Sequence, residues 1–484
     1  MKIVRYFSLI TLIITFPMTC LCQKGFPVSS FGSTDLDFGI DIIIGHNENI
    51  IVCGQTSSYP SWISSGMLAS LNGSGILQKQ VMMTDSFDRI IYHKAQKTDT
   101  GYIFLGMKQN ISPPHEPHLS VLFTDKDLNK ESEFLIPLDL FASLVSTVAN
   151  FDSQGNALFH GIGYPLTTNN MLPFVVKIDP LGNILHESIG PFTGFISGFN
   201  LVLIEDFHSR GYYLAEQQFF GGRYILLLDT SLNILLDTIR LPGGIYMMSK
   251  LEKHNTDRLF ILSSGTNHGM YYLTCIDTLG VLQYQRELGK TGKYNSLTTR
   301  SMDVAPSGIY VATNYVDDLF DGYFPDSTNS ISVKKLDTAF NTIWSNEIGW
   351  DAHFLSRAIL ATPDGGCIVL ASVYDSDTMY LRHDVVLFKL DNHGQLVGVT
   401  NLTPKPDDLV LFPNPGTTHF EIGGEDQIDR IEVYDASGRL VRNITLRGNP
   451  PIVDMYDAPA GLYVIRATST TGKTFHPMKW VKGM

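Results

Sequence analysis

The segment Asp179-Pro180-Leu181-Gly182-Asn183, set between the apolar runs Phe174-Val175-Val176 and Ile184-Leu185, decides how the rest of the chain is read. An Asp side chain bonds its own backbone two residues on, and a later Gly or Asn supplies the positive φ that a tight hairpin needs. The stretch therefore reads as two antiparallel strands joined by a turn. The same turn or a variant recurs at Asn72-Gly73-Ser74-Gly75, Asp125-Lys126-Asp127-Leu128-Asn129, Asp229-Thr230-Ser231-Leu232-Asn233, Asp277-Thr278-Leu279-Gly280, Asp337-Thr338-Ala339-Phe340-Asn341 and Asp391-Asn392-His393-Gly394. From first residue to first residue, the intervals are 53, 54, 50, 48, 60 and 54.

A second hairpin signal alternates with the first. It lies at Asn47-Glu48-Asn49, Thr98-Asp99-Thr100-Gly101, Asp152-Ser153-Gln154-Gly155, His208-Ser209-Arg210-Gly211, Asn255-Thr256-Asp257, Pro306-Ser307-Gly308 and Pro363-Asp364-Gly365-Gly366, each followed by an apolar run. Two hairpins per repeat give four strands. Four-stranded antiparallel units repeated in this way stack in a circle that protects every sheet from an open edge. The expected fold class is all-β, a seven-bladed β-propeller over about residues 35–400, followed by a small Ig-like β-sandwich.

The two ends of the chain differ from this body. At the start, Lys2 and Arg5 precede the apolar run Tyr6–Phe16, and Cys20-Leu21-Cys22 offers small residues for a cut before Gln23, so residues 1–22 read as a signal peptide. The run is far short of the roughly 20 apolar residues of a spanning helix, and no transmembrane segment is expected in the mature chain. At the other end, Thr403-Pro404-Lys405-Pro406-Asp407-Asp408 is a polar, Pro-broken linker. The expected domains are therefore 1–22, a body over 23–404, and a C-terminal domain over 405–484.

In that last domain, period-two alternation runs between turn signals, as a small sandwich requires. Its pieces are Phe412-Pro413-Asn414-Pro415, then Ile431-Glu432-Val433-Tyr434-Asp435 with Gly438, then Gly461-Leu462-Tyr463, then Lys479-Trp480-Val481-Lys482. In order and spacing these resemble the type A C-terminal sorting domain of the type IX (Por) secretion system. Ala458 stands where such domains usually carry Leu, and His476-Pro477 interrupts the last strand. The resemblance implies a Gram-negative bacterium, Sec export, and recognition by the type IX translocon and sortase machinery. A secreted or surface-attached product would follow. The sorting-signal residues it implies are Phe412, Pro413, Asn414, Pro415, Tyr434, Asp435, Gly438, Gly461, Tyr463, Lys479 and Lys482.

Chemistry is harder to find. The net charge of −13 lies in the body and excludes non-specific nucleic-acid binding. Cys53, Cys275 and Cys367 sit in apolar runs without close spacing and read as buried thiols rather than metal or redox ligands. Gly161-Ile162-Gly163 lacks the third glycine of a dinucleotide site, and no nucleophile-elbow, zincin or P-loop pattern occurs. His115-Glu116-Pro117-His118 supplies at most half a zinc site. Asp317, Asp318, Asp321 and Asp326 miss the alternation of a calcium loop, and Asp125, Asp127 and Asn129 are explained by their hairpin. The Asp-Thr-x triplets at 237, 277, 337 and 377 resemble O-glycosylation sites of bacteria with this secretion system, and turn chemistry explains at least two of them. No catalytic residue, cofactor or metal is expected. The expected role is a non-enzymatic module that binds a glycan or protein ligand through the loops 109–119 and 316–330. The alternative is a hydrolase or lyase whose acid and base come from different blades.

Overall fold

The computed structural model describes residues 29–482 except 33–35, 59–62, 111–115, 168–169, 190–201, 206–210, 218–222, 241–244, 255–256, 266–269, 279, 290–293, 297–299, 317–329, 350–352, 375–382, 398–409, 413–416, 424–427, 436–437, 447–451, 471–474 and 476–477. The expected signal peptide and its cut before Gln23 lie outside the described residues. Among the described residues no helix is long and apolar enough to cross a membrane. The chain divides into two compact units, 1–398 and 399–484.

Apart from a 3-10 turn at His46–Glu48, the described secondary structure is all strand. Sheet A contains two meanders, Leu36–Ile44, Ile50–Ser58, Ile63–Leu71, Leu77–Met83 and then Arg89–Lys97, Gly101–Gln109, His118–Asp125, Lys130–Pro137. A single parallel pair, Ser64 with Arg89, joins them. Sheet B is Phe141–Phe151, Ala157–Pro165, Leu172–Ile178 and Ile184–Ile189, and sheet C is Val202–Glu205, Gly211–Gln217, Arg223–Asp229 and Ile234–Arg240. Sheet D is Ile245–His254, Arg258–Gly265, Tyr271–Asp277 and Leu282–Glu287. In sheet E the first strand is split into Tyr294–Ser296 and Met302–Ala305, both paired with Gly308–Val316, before Ser330–Leu336 and Thr342–Ile348. Sheet F is His353–Ala361, Cys367–Tyr374 and Asp384–Leu390, with Ser29–Phe31 as its outer strand.

That outer strand corrects the reading of the last repeat. Among the described residues the turn at Asp391 leads to a single bridge between Leu396 and Leu390, and the fourth strand comes from the opposite end of the chain. Three residues carry too little alternation to be read as a strand, so the expected blades began only near residue 35.

Each sheet is apolar on both faces because each is packed on both. Ile225 and Leu227 of sheet C meet Leu251 and Ile261 of sheet D, while Leu226 and Leu228, pointing the other way, meet Leu158 and Val175 of sheet B. Each such side chain, fully buried, contributes about 1.5–3 kcal/mol. Sheet F packs in turn on sheet A, Leu370 and Val385 against Ile42 and Val52. The arrangement is propeller-like.

The Asp turns hold as the sequence suggests. Asp179 Oδ1 accepts the backbone N–H groups of Leu181 and Asn183, and the Asn183 side chain donates to Oδ2. Asp125 does the same with Asp127 and Asn129, which leaves its carboxylate fully used by the hairpin. The fourth turn position has positive φ whether it is Gly182 or Gly394, or Leu128, Leu232 or Phe340. In the last three, left-handed strain is offset by complete burial of the side chain between sheets or meanders. At Gly182 and Gly394 the neighbouring sheet already fills the place: a Cβ on Gly182 would lie 2.6 Å from the Phe134 ring.

In the C-terminal unit, sheet G is Val410–Phe412, His419–Gly423 and Ile452–Asp454, and sheet H is Leu440–Thr445, Ile428–Asp435, Gly461–Ser469 and Met478–Lys482. The two share one core. Phe420, Ile422 and Val453 from sheet G meet Ile431, Val433, Ile465 and Trp480 from sheet H, while Arg430 and Arg466 alternate outward.

Candidate functional site

The first strands of sheets A, D and E, together with the second meander of sheet A, bring together charges that lie far apart in the chain. Three of them directly follow a β-bulge. The register slips between Gly39 and Asp41, between Tyr92 and Lys94, and between Met248 and Lys250. A bulge adds one unpaired residue and bends the strand, which re-aims the side chains beside it. Arg300 is fixed differently, in the break of sheet E's split strand, by a bridge to Ala358 and by accepting the Ile359 N–H on its carbonyl.

Arg300 Nη1 lies 2.7 Å from Asp41 Oδ1, and its Nη2 donates to the His93 carbonyl at 2.7 Å. Asp41 Oδ2 accepts the Ala95 N–H at 2.9 Å and has the Lys94 ammonium 3.6 Å away. Lys250 Nζ pairs with Glu252 at 2.8 Å. Asp303 Oδ2 accepts the Ala361 N–H at 2.6 Å.

Burial alone would push the Asp41 carboxyl up, but Arg300, Lys94 and the Ala95 N–H together hold it below the usual carboxylate range. Asp303 moves the opposite way, raised first by burial and then by the Glu252 carboxylate. Burial lowers Lys94, with Asp41 opposing and Arg300 and Lys250 adding to the shift. His93 is pushed down to about 3 by burial and by the neighbouring Arg300 and Arg89. The site thus holds three cations, three carboxyl groups and a neutral imidazole. No cluster of three or more His, Cys, Asp or Glu side chains able to hold a metal occurs among the described residues.

None of these residues was picked out in the sequence. Residues 41, 94, 250 and 300 follow no spacing rule, and only the bulges and the packing of sheets bring them together. The loops expected to bind fall largely outside the described residues, including His115, Asp317, Asp318, Asp321 and Asp326. His118, at the edge of the first loop, meets the Phe87 ring edge-on and has its Nδ1 2.8 Å from the Glu116 carbonyl oxygen. The three thiols are free and buried, and burial pushes that of Cys367 up to about 12.

The sorting-signal residues cluster in the C-terminal unit, by contrast. Phe412 ends a strand of sheet G, opposite Glu421, while Pro413, Asn414 and Pro415 lie outside the described residues. Asp435 and Gly438 build another Asp turn, with Asp435 Oδ1 accepting the Arg439 N–H. Tyr434 donates to Glu432 at 3.0 Å. Gly461 opens the strand of Tyr463, whose hydroxyl donates to the Pro459 carbonyl at 2.5 Å. Lys479 lies in the last strand opposite Val464. Lys482, read in the sequence as part of a basic strand, is buried, and its ammonium donates to the carbonyls of Met455, Tyr456 and Ala458 at 2.6, 2.9 and 2.5 Å.

The family model for the secretion system C-terminal sorting domain matches residues 410–481. The C-terminal unit carries a type IX sorting domain. No curated protein matches the chain. Among solved structures, the chain is similar to the β-propeller domain of the trilobed protease from Pyrococcus furiosus, at 9% identity and TM-score 0.43, covering 77% of this chain and 100% of that one. It is also similar to PorZ, a surface component of the type IX secretion system of Porphyromonas gingivalis, at 9% identity and TM-score 0.25, covering 93% and 82%. With the dihydro-heme d1 dehydrogenase NirN it shares 13% identity at TM-score 0.37 over 64% of this chain, and it spans only 58% of that protein's length. The sorting domain implies export to the cell surface or the medium.

Proposed function

We propose that the chain is exported by the type IX system through residues 405–484, after Sec export directed by residues 1–22, and that residues 23–404 form a non-enzymatic binding module. The single observation that carries the export route is the sorting domain at residues 410–481. Its motif residues Phe412 to Pro415, Tyr434, Asp435, Gly438, Gly461, Tyr463, Lys479 and Lys482 are the proposed contacts or supports for the translocon and sortase machinery. The body reads as a seven-bladed propeller if the two meanders of sheet A, joined by one residue pair, count as separate blades, and the C-terminal unit as an Ig-like sandwich. Ser29–Phe31 then closes the ring on the last blade.

Binding is favoured over catalysis because the carboxyl groups of the charge cluster are engaged: Asp41 by Arg300, Glu252 by Lys250, Asp303 by the Ala361 N–H. A hydrolase or lyase is the second reading, supported by Asp303, a buried carboxyl raised in pKa beside Glu252, as a general acid would be. Fractionation of cells making the full chain and a chain ending at residue 404 tests the route. The full chain is expected outside the cell and the shortened one in the periplasm. Equal export of both would end the proposal. Turnover of a glycan or peptide that is lost in Asp303→Asn would decide for the enzyme.

A further inference from the structure

Among the described residues, one cation of the charge cluster makes no hydrogen bond, only a long ion pair with Asp41. Arg300 uses its guanidinium on Asp41 and on the His93 carbonyl, and Lys250 is in contact with Glu252. Lys94 has three N–H donors and, among the described residues, no hydrogen bond; its nearest carboxylate oxygen is 3.6 Å away, on an Asp41 that already has two closer partners. An ammonium whose protein partner is a single carboxylate 3.6 Å away has donors left over for water or for a ligand that displaces it. The Lys94 side chain is 23% exposed, and the flanking Lys250, Glu252 and Arg300 are partly open as well, at 16, 28 and 14%. The position is therefore open to an incoming acceptor.

The geometry points to a binding site for a small ligand that presents a carboxylate to the Lys94 ammonium, with Lys250 and Arg300 alongside. This rests on the reading of the body as a binding module and names the chemistry it recognises. A monoanion fits better than a phosphate dianion, because Asp41, Glu252 and Asp303 stand in the same cluster and each added negative charge meets them. A neutral ligand would leave the ammonium unanswered.

Titration calorimetry on the purified chain from Gln23 onward, with acetate, glucuronate, glucose and inorganic phosphate as probes, tests the site. Binding of glucuronate and acetate alike assigns recognition to the carboxylate itself, and binding of glucuronate alone assigns it to a sugar acid. Either supports the site. Lys94→Met is expected to weaken the carboxylate about ten- to hundredfold, as loss of a charged hydrogen bond does, while Asp41 keeps Arg300. Absence of carboxylate binding to the wild-type chain, unchanged affinity in Lys94→Met, or preference for phosphate or glucose overturns the proposal. If Lys94→Met does not fold, the wild-type discrimination between glucuronate and glucose decides. Export is read separately by fractionation, so an exported chain that binds no carboxylate removes this site and leaves the export route standing.

Discussion

Arg300 in the body and Lys482 in the C-terminal unit are answered in different ways. In the body, Arg300 meets a full counter-charge, Asp41, brought from another sheet. In the C-terminal unit, Lys482 meets no carboxylate among the described residues and gives its three donors to three backbone carbonyls of one short turn. A charge answered by a charge leaves the second charge stranded when the first is removed, whereas a charge answered by dipoles leaves only unpaired carbonyls. The first arrangement is the more fragile to single substitution. It also ties together distant parts of the chain, where the second ties the last strand to residues 455–458.

Arg300→Met should therefore have the largest effect, a loss of about 3–5 kcal/mol, because it leaves a buried Asp41 carboxylate with one backbone N–H and an ammonium 3.6 Å away, beyond hydrogen-bond distance. Urea unfolding of the full chain would measure it. Adding Asp41→Asn should recover most of the loss, since a neutral amide needs no counter-charge. A double variant as unstable as the single one would show that Arg300 acts through shape rather than charge.

Lys482→Met should cost less, about 1.5–3 kcal/mol, the range for hydrogen bonds from a charged donor. The loss should be confined to the C-terminal unit. Hydrogen exchange should speed up at residues 455–463 and stay unchanged in sheets A to F. Protection lost evenly over the chain would contradict the local role assigned to this lysine.

How far each arrangement could be read from sequence follows the same division. The Asp turns were legible because the residues that make them lie within five positions of one another. So was the sorting domain, whose motifs follow in chain order. Arg300 and Asp41 were not, since their meeting depends on a bulge and on packing between sheets. Ser29–Phe31 was too short to show a period. Lys482 was visible in the last strand, but the partners of its ammonium were not: a lysine at the end of a strand gives the same letter whether its ammonium faces water or three carbonyls.

His160 adds a third case, a titratable group without a hydrogen-bond partner among the described residues. It is fully buried in sheet B, neither ring nitrogen has a hydrogen bond among the described residues, and burial lowers its pKa to about 3. The native state keeps it neutral, while the unfolded chain takes up a proton below about pH 6.5. Its contribution is thus fully present above that pH. It is lost by about 1.4 kcal/mol for each unit of acidification until the native group itself titrates. Urea midpoints of the wild type and His160→Leu between pH 7 and pH 5 would isolate this slope, and parallel curves would refute it.

The smallest effect is expected where the two units use the same turn. Gly394 in the body and Gly438 in the C-terminal unit both occupy the left-handed position of an Asp turn, with φ of 77° and 83°. Their surroundings differ: a Cβ on Gly394 would lie 2.6 Å from the Trp344 ring, and one on Gly438 would meet nothing within 4 Å. Gly438→Ala should cost only the backbone term, about 1 kcal/mol. Gly394→Ala pays that term and must also displace Trp344, whose ring packs into the core between sheets E and F, so its cost should be the larger by 1 kcal/mol or more, of the order seen for overpacking. Equal costs at the two glycines would mean that the hairpin alone sets the requirement for Gly. The contact between sheets would then have no part in choosing between Gly and the Leu or Phe found at Leu128, Leu232 and Phe340.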